Sequence, residues 1–108
     1  MRVPALSVHV NSVAGRSVLT VAGELDLDSV GALREPAEAE LASGRVSAVA
    51  LELADMTFID SSGLALLVEL RRLAGDAGVQ FELVNLRPGP RRVIAIAGLS
   101  GTLGLSAP

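Results

Sequence analysis

Met56-Thr57-Phe58-Ile59-Asp60-Ser61-Ser62-Gly63-Leu64 places a carboxylate and two hydroxyls where an apolar run gives way to a long apolar helix. A helix start carries unpaired N–H groups and partial positive charge. A serine there can satisfy one of those donors as a cap, and capping alone accounts for Ser61 on physical grounds. It can equally receive a phosphate, which replaces a neutral group with roughly −1.5 to −2 charges. The helix behind it offers apolar surface. The stretch therefore reads as a switch on a docking surface rather than a catalytic centre.

Working outward, residues 46–53 hold Val49, Leu51 and Leu53 on one face and Ala48 and Ala50 on the other. A strand apolar on both faces is expected at the centre of a sheet, covered by helices. After the serines, Leu66, Leu67, Leu70, Leu73, Ala74 and Ala77 share one broad helical face at about 100° per residue, and Glu69, Arg72 and Asp76 fall opposite. Leu64, Ala65 and Val68 lie on a flank beside Ser61, fit either for packing on a neighbouring helix or for docking. This helix is expected from Ser61 to Ala77, ending at Gly78.

Upstream, residues 5–10 alternate, Leu6, Val8 and Val10 against Ser7 and His9, as in a half-buried strand. Asn11 to Gly15 is turn-rich, and residues 16–22 complete a hairpin. Gly23 to Asp28 reads as a connection holding Glu24, Asp26 and Asp28. Asp28 or Ser29 then caps a helix in which Val30, Leu33, Ala37 and Leu41 recur at helical spacing. Pro36 predicts a kink, or a helix restarting there. Downstream, residues 79–84 read as a strand, and Pro88 and Pro90 open a third helix closed by Gly98. In the glycine-rich tail, residues 100–108, Leu103 and Leu105 are placed to dock.

The order is ββαβαβα, an α/β fold with a mixed central sheet flanked by helices. We expect one domain over residues 1–108, its core spanning about 5–99. Such sheets place function at the carboxyl ends of their strands. Three loops should meet there: Glu24-Leu25-Asp26, Ile59 to Gly63, and Asn85-Leu86-Arg87.

Composition narrows the chemistry. The 108 residues are 50% hydrophobic with no cysteine, so a core forms without disulfides or thiolate metal sites. His9 is the only histidine. Nine basic and 12 acidic side chains give a net charge of −3, no electrostatic footprint for nucleic acid. Phe58 and Phe81, the only aromatics, leave no stacking platform for single strands. No apolar run approaches the roughly 20 residues of a membrane span, and Met1 to Val8 is no signal peptide. These features lead us to expect a cytoplasmic protein without membrane insertion. Gly-x-Ser-x-Gly, the phosphate-binding Gly-x4-Gly-Lys-Ser/Thr loop and Gly-x-Gly-x-x-Gly are all missing. The reading is of a non-enzyme that needs neither cofactor nor metal. Glu24 and Asp26 precede a helix start, where the dipole alone favours carboxylates; a partner's basic residues or bound magnesium would be a functional alternative.

Three pieces together, Val21-Ala22-Gly23-Glu24-Leu25-Asp26, Asp60-Ser61-Ser62-Gly63-Leu64, and Leu83-Val84-Asn85 before a proline-started helix, resemble the STAS domain. More narrowly they resemble bacterial anti-sigma factor antagonists, over nearly the whole chain from Leu6 to about Leu99. The resemblance implies a protein that binds an anti-sigma factor which is also a serine kinase, freeing a sigma factor. Phosphorylation of the serine after the box aspartate, here Ser61 (Ser62 is the alternative), breaks the complex, and a serine phosphatase restores it. The implied contact set is Glu24, Asp26, Asp60, Ser61, Ser62, Gly63, Leu64, Ala65 and Val68. STAS domains also serve as constitutive scaffolds or subunits in stress-signalling and transport complexes, where Ser61 would be a cap alone. Oligomeric state stays open.

Overall fold

The structure, a computed structural model, describes residues 5–105. Its elements are β1 (Leu6–Val13), β2 (Arg16–Leu25), α1 (Val30–Ala42), β3 (Ala48–Ile59), α2 (Ser61–Ala77), β4 (Gln80–Val84) and α3 (Pro88–Ile96). The ββαβαβα order is the expected one, and the four strands form a single mixed sheet in the order β1-β2-β3-β4. The hairpin is antiparallel and both crossovers are parallel. The architecture is the α/β fold with a mixed central sheet that the sequence led us to expect.

The hairpin is longer than alternation suggests. Val13 faces Arg16 across a two-residue turn in which Ala14 and Gly15 have φ of 52° and 80°. Positive φ at both central residues gives the turn whose twist suits antiparallel strands. Asn11 to Val13 therefore pair instead of turning. Gly23 and Glu24, expected in a connection, also belong to β2. Gly23 has φ of 110°, and a Cβ there would lie 2.1 Å from the Ala5 carbonyl oxygen, so only glycine fits.

Strand β3 occupies the expected central place but starts at Ala48 and runs six residues beyond Leu53. The register explains why alternation lost it. Thr20 and Ala22 of β2 face Glu52 and Asp55, and Gly23 and Glu24 face Met56 and Phe58. Each step inserts one extra residue into β3, a bulge that reverses the facing of the residues after it. Leu53, Met56 and Ile59, three apart, thus all reach the core. Val49, Leu51 and Leu53 are buried on one face; on the other Ala50 is buried and Ala48 half-buried.

Helices α1 and α2 pack on each other, joined by an Arg34–Glu69 ion pair of 2.8 Å. The buried face of α2 includes Leu66, Leu67, Leu70 and Ala74, with Leu73 half-buried and Ala77 exposed. Gly78 ends it as expected. Helix α1 is continuous through Pro36 and begins at Val30, so it does not restart at the proline. The carbonyl of Ala32, left without that donor, sits on an exposed stretch of the helix, where water can serve it. Strand β4 pairs only with Ala48–Glu52, and α3 lies against β3. Leu103 is buried and Leu105 half-buried, so the tail docks as expected; residues 106–108 lie outside the described residues. No helix among the described residues is long and apolar enough to cross a membrane.

Candidate functional site

Ile59 ends β3, Asp60 is the N-cap of α2, and Ser61 is its first residue. Asp60 does the capping. Its Oδ1 accepts from the Gly63 N–H at 3.0 Å, and its Oδ2 accepts from the Leu27 N–H at 3.3 Å. Its own N–H donates to the Leu25 carbonyl at 3.2 Å. One carboxylate therefore closes the helix start and ties it to the loop after β2. The capping role open to Ser61 in the sequence is filled by its neighbour. Among the described residues the Ser61 hydroxyl has no hydrogen-bond partner, and the side chain is exposed, while Ser62 is half-buried.

Gly63 permits the close fit. A Cβ there would meet Ile59 Cγ1 at 2.7 Å and the Leu25 carbonyl oxygen at 2.8 Å. The first turn of α2 thus sits directly on the ends of β2 and β3.

The loop before α1 is held by its own side chains. Asp26 Oδ1 accepts from the N–H groups of Asp28 and Ser29, both at 3.1 Å. Ser29 is the N-cap residue of α1, as one of the two expected positions, yet its hydroxyl makes no capping bond to the helix. It donates to the Glu24 carbonyl at 2.6 Å and accepts from the Asp26 N–H at 2.9 Å. Asp26 is therefore half-buried and spent on loop geometry, whereas Glu24 is exposed.

Of the residues expected at the site, Glu24, Ser61 and Ala65 are exposed, and Asp26, Asp60, Ser62 and Val68 are half-buried. Leu64 differs from the expected flank. It is 8% exposed and part of the core, because the helix wheel cannot anticipate how tightly Gly63 lets this turn approach β2. Gly63 is buried with it. These two support the site from beneath.

The third loop does not reach it. Asn85 donates to Glu52 at 2.8 Å, and Arg87 to the Ala54 carbonyl at 3.1 Å. Strand β4 stops opposite Glu52, seven residues before β3 ends, roughly 20 Å at the usual strand rise. Two loops form the serine edge, not three.

Two residues were missed. Leu27 is 71% exposed and Phe58 47%. Leu27 lies in the loop bonded to Asp60, and Phe58 faces Glu24 in the sheet. Both are large apolar side chains left exposed near the ends of β2 and β3. The signal for Leu27 was its place between Asp26 and Asp28; Phe58 was masked by the bulges. Two surface grooves of about 420 and 460 Å³ lie elsewhere, and no residue of the serine edge lines either.

Comparison with known proteins identifies the family. A family model described as "Mlab, STAS domain" matches residues 8–105. The chain is 32% identical over 101 residues to the anti-sigma-F factor antagonist RsfB of Mycobacterium tuberculosis, covering 94% of this chain and 81% of that one. It is 34% identical over 83 residues to an anti-sigma F factor antagonist of Lysinibacillus sphaericus, covering 76% and 70%. Among solved structures, an anti-sigma factor antagonist from Mycobacterium paratuberculosis superposes with a TM-score of 0.83 at 28% identity, covering 100% of this chain and 92% of that one. The antagonist SpoIIAA in its unphosphorylated form gives 0.77 at 24% identity, covering 94% and 89%, a likeness of fold. The chain belongs to the STAS domain family, among the bacterial anti-sigma factor antagonists.

Proposed function

We propose that this protein binds an anti-sigma factor through the serine edge and so releases a sigma factor, and that phosphorylation of Ser61 dissolves the complex. The observation that carries this is the exposed, unbonded Ser61 hydroxyl at a helix start that Asp60 already caps. A hydroxyl with no structural duty can change its chemistry without cost to the fold. The names of the relatives at 32% and 34% identity support the antagonist role.

The contact surface combines Ser61, Ser62, Asp60 and Glu24 with Ala65 and Val68, and Leu27 and Phe58 extend it. Asp26, Gly63 and Leu64 hold it in shape. A phosphate on Ser61 sits beside the N–H groups of the first helical turn, which tolerate it. It also adds charge next to Asp60 on a surface that must lose its water on docking. The fold survives while binding fails. The partner is an anti-sigma factor with serine kinase activity, a serine phosphatase reverses the mark, and the setting is the cytoplasm. The protein itself performs no catalysis.

The test is incubation with a candidate anti-sigma kinase and ATP, followed by intact mass and affinity measurements on wild type, Ser61→Ala and Ser62→Ala. One phosphate on wild type and Ser62→Ala, and none on Ser61→Ala, is expected. Incorporation that persists in Ser61→Ala and vanishes in Ser62→Ala moves the switch by one residue. With binding established, no incorporation in any of the three replaces the switch with a constitutive scaffold.

A further inference from the structure

Charge is divided unevenly along this chain. Residues 1–82 carry twelve acids and six arginines, a net −6; residues 83–108 carry three arginines, Arg87, Arg91 and Arg92, and no acid, a net +3. Among the described residues the ion pairs take up Arg16, Arg34, Arg45 and Arg72, and none reaches the arginines of α3. The carboxylates of β3 and β4 do not neutralise them either. Glu52 accepts from Asn85 Nδ2 at 2.8 Å and from the Ala54 N–H at 3.0 Å, and Glu82 pairs with Arg16. Asp55 is exposed on β3 and stands in no ion pair among the described residues.

Local helix chemistry opposes these three positions. Arg87 is the N-cap of α3 and makes no capping bond, Arg91 and Arg92 are the fourth and fifth helical residues, and the first turn holds no acid. A helix start favours carboxylates over cations, and its cap favours Asp, Asn, Ser or Thr. Arg87 donates one bond, to the Ala54 carbonyl at 3.1 Å. Among the described residues the Arg91 and Arg92 guanidinium groups have no hydrogen-bond partner.

The helix turns Pro90 and Ile94 to the core. On its other side Arg92 and Ile96, four residues apart, stand one above the other, with Val93 alongside. Ile96 is 80% exposed and Val93 37%; Arg92 is exposed and Arg91 half-buried. The outer face of α3 thus has guanidinium groups at one end and aliphatic side chains at the other, with no carboxylate between them.

We propose that this face docks an acidic segment of a protein partner, its carboxylates on Arg87, Arg91 and Arg92 and an aliphatic side chain on Val93 and Ile96. A guanidinium fork matches a carboxylate with two parallel bonds, and three lie within six residues of chain. An anionic membrane is a poorer match. It meets a whole side of the molecule, where the net −6 of the remaining residues opposes it, and three arginines fall short of the roughly four to eight in basic clusters that hold lipid headgroups. The same opposition applies to nucleic acid. A discrete acidic segment meets the positive face alone. That face shares no residue with the serine edge, so this docking depends on neither Ser61 nor its phosphate.

The experiment is a titration of the isotope-labelled full chain, followed through its amide resonances, with a short capped peptide alternating glutamate and leucine. Saturable shifts centred on α3, weakened by added salt, are expected, and none with a matched peptide carrying lysine for glutamate. Replacing both Arg91→Glu and Arg92→Glu should raise the dissociation constant about tenfold or more. The melting temperature of that variant should hold or rise, because a helix start favours carboxylates. Ile96→Ser should weaken binding several-fold with the fold kept, since the side chain already stands in water. Absence of shifts at α3, equal shifts with the lysine peptide, or an affinity that charge reversal leaves unchanged overturns the proposal. A lower melting temperature in the charge-reversed variant overturns it too, by giving the arginines a structural duty. So does binding of phosphatidylglycerol vesicles or a DNA duplex by a chain that ignores the acidic peptide.

Discussion

Serine residues sit at both ends of the sheet, and the two ends use them in opposite ways. At the end where β1 turns into β2, Ser17 is fully buried and its hydroxyl donates to Glu40 of α1, which also accepts from Ser12 at 2.7 Å. Arg45 stands 3.7 Å from the second carboxylate oxygen. Every polar atom there is committed. At the other end Asp60 and Asp26 are committed to backbone N–H groups, and Ser61 is left free. A carboxylate organises the local structure in both places. What differs is whether the hydroxyl beside it is consumed. Consumed hydroxyls hold α1 to the hairpin; the spared one is available for chemistry.

The comparison predicts its largest stability effect at the committed end. Glu40→Ala removes two charge-assisted hydrogen bonds and leaves the buried Ser17 hydroxyl only the Ser12 hydroxyl, 2.6 Å away, to bond. A loss of about 2–3 kcal/mol in urea unfolding is expected. A loss below about 0.5 kcal/mol would mean that the network is ornamental, and the contrast between the ends would fail.

Next comes Asp60→Ala. It removes the cap of α2 and the link to Leu27, costing about 1–2 kcal/mol, and should loosen the Leu27 loop in amide exchange. Because that loop shares the proposed docking surface, partner affinity should fall as well. Stability lost without any change in affinity would separate the cap from the surface.

Acid should act on the committed end. Hydrogen bonds from Ser17, then Ser12, hold the Glu40 carboxyl below the usual carboxylate range, with Arg45 adding to them against the opposing effect of burial. A carboxyl whose folded value lies below its unfolded one stabilises the fold above the unfolded value, near 4.3 for glutamate. That contribution disappears as pH falls through the folded value. The stability gap between wild type and Glu40→Gln should therefore be constant near neutrality and narrow below about pH 4. A gap that stays constant under acid would show the carboxylate charge to be irrelevant.

Much of the fold was legible in the sequence alone. The both-faces apolar run at Val49 to Leu53, the capped helix behind Asp60 and the proline-started third helix each derive from local chemistry, and each stands in the fold. The features that were not legible depended on pairing partners. Met56 and Ile59 reach the core only because two bulges turn β3, and bulges are set by the facing strand. The short β4, which keeps Asn85 and Arg87 from the serine edge, is likewise a property of the sheet. Leu27 and Phe58 needed exposure to be recognised. The Ser12–Ser17–Glu40 network joins residues distant in sequence, and nothing in their spacing announces it.

The smallest expected effect tests the spared hydroxyl itself. Because Asp60 is the cap, Ser61→Ala removes no hydrogen bond found among the described residues. Surface substitutions of that kind stay within about 0.5 kcal/mol, well under the roughly 1 kcal/mol of a lost serine cap. Alanine is also the better helix former at an exposed first turn, which offsets any small loss. Partner affinity should stay close to wild type, since the methyl group fills most of the same surface. Ser61→Asp should fold equally well, because the helix start favours a carboxylate, and should bind less tightly because it adds charge beside Asp60. It supplies one charge and two oxygens where phosphate supplies nearly two charges and three, so a partial loss of affinity is expected. Measured side by side with Ser17→Ala, which should destabilise by about 1–3 kcal/mol by removing a buried hydrogen bond to the Glu40 carboxylate, the pair asks one question at both ends of the sheet. Equal costs for Ser61→Ala and Ser17→Ala would show that Ser61 also has a structural duty, and the hydroxyl proposed as the switch would no longer be free.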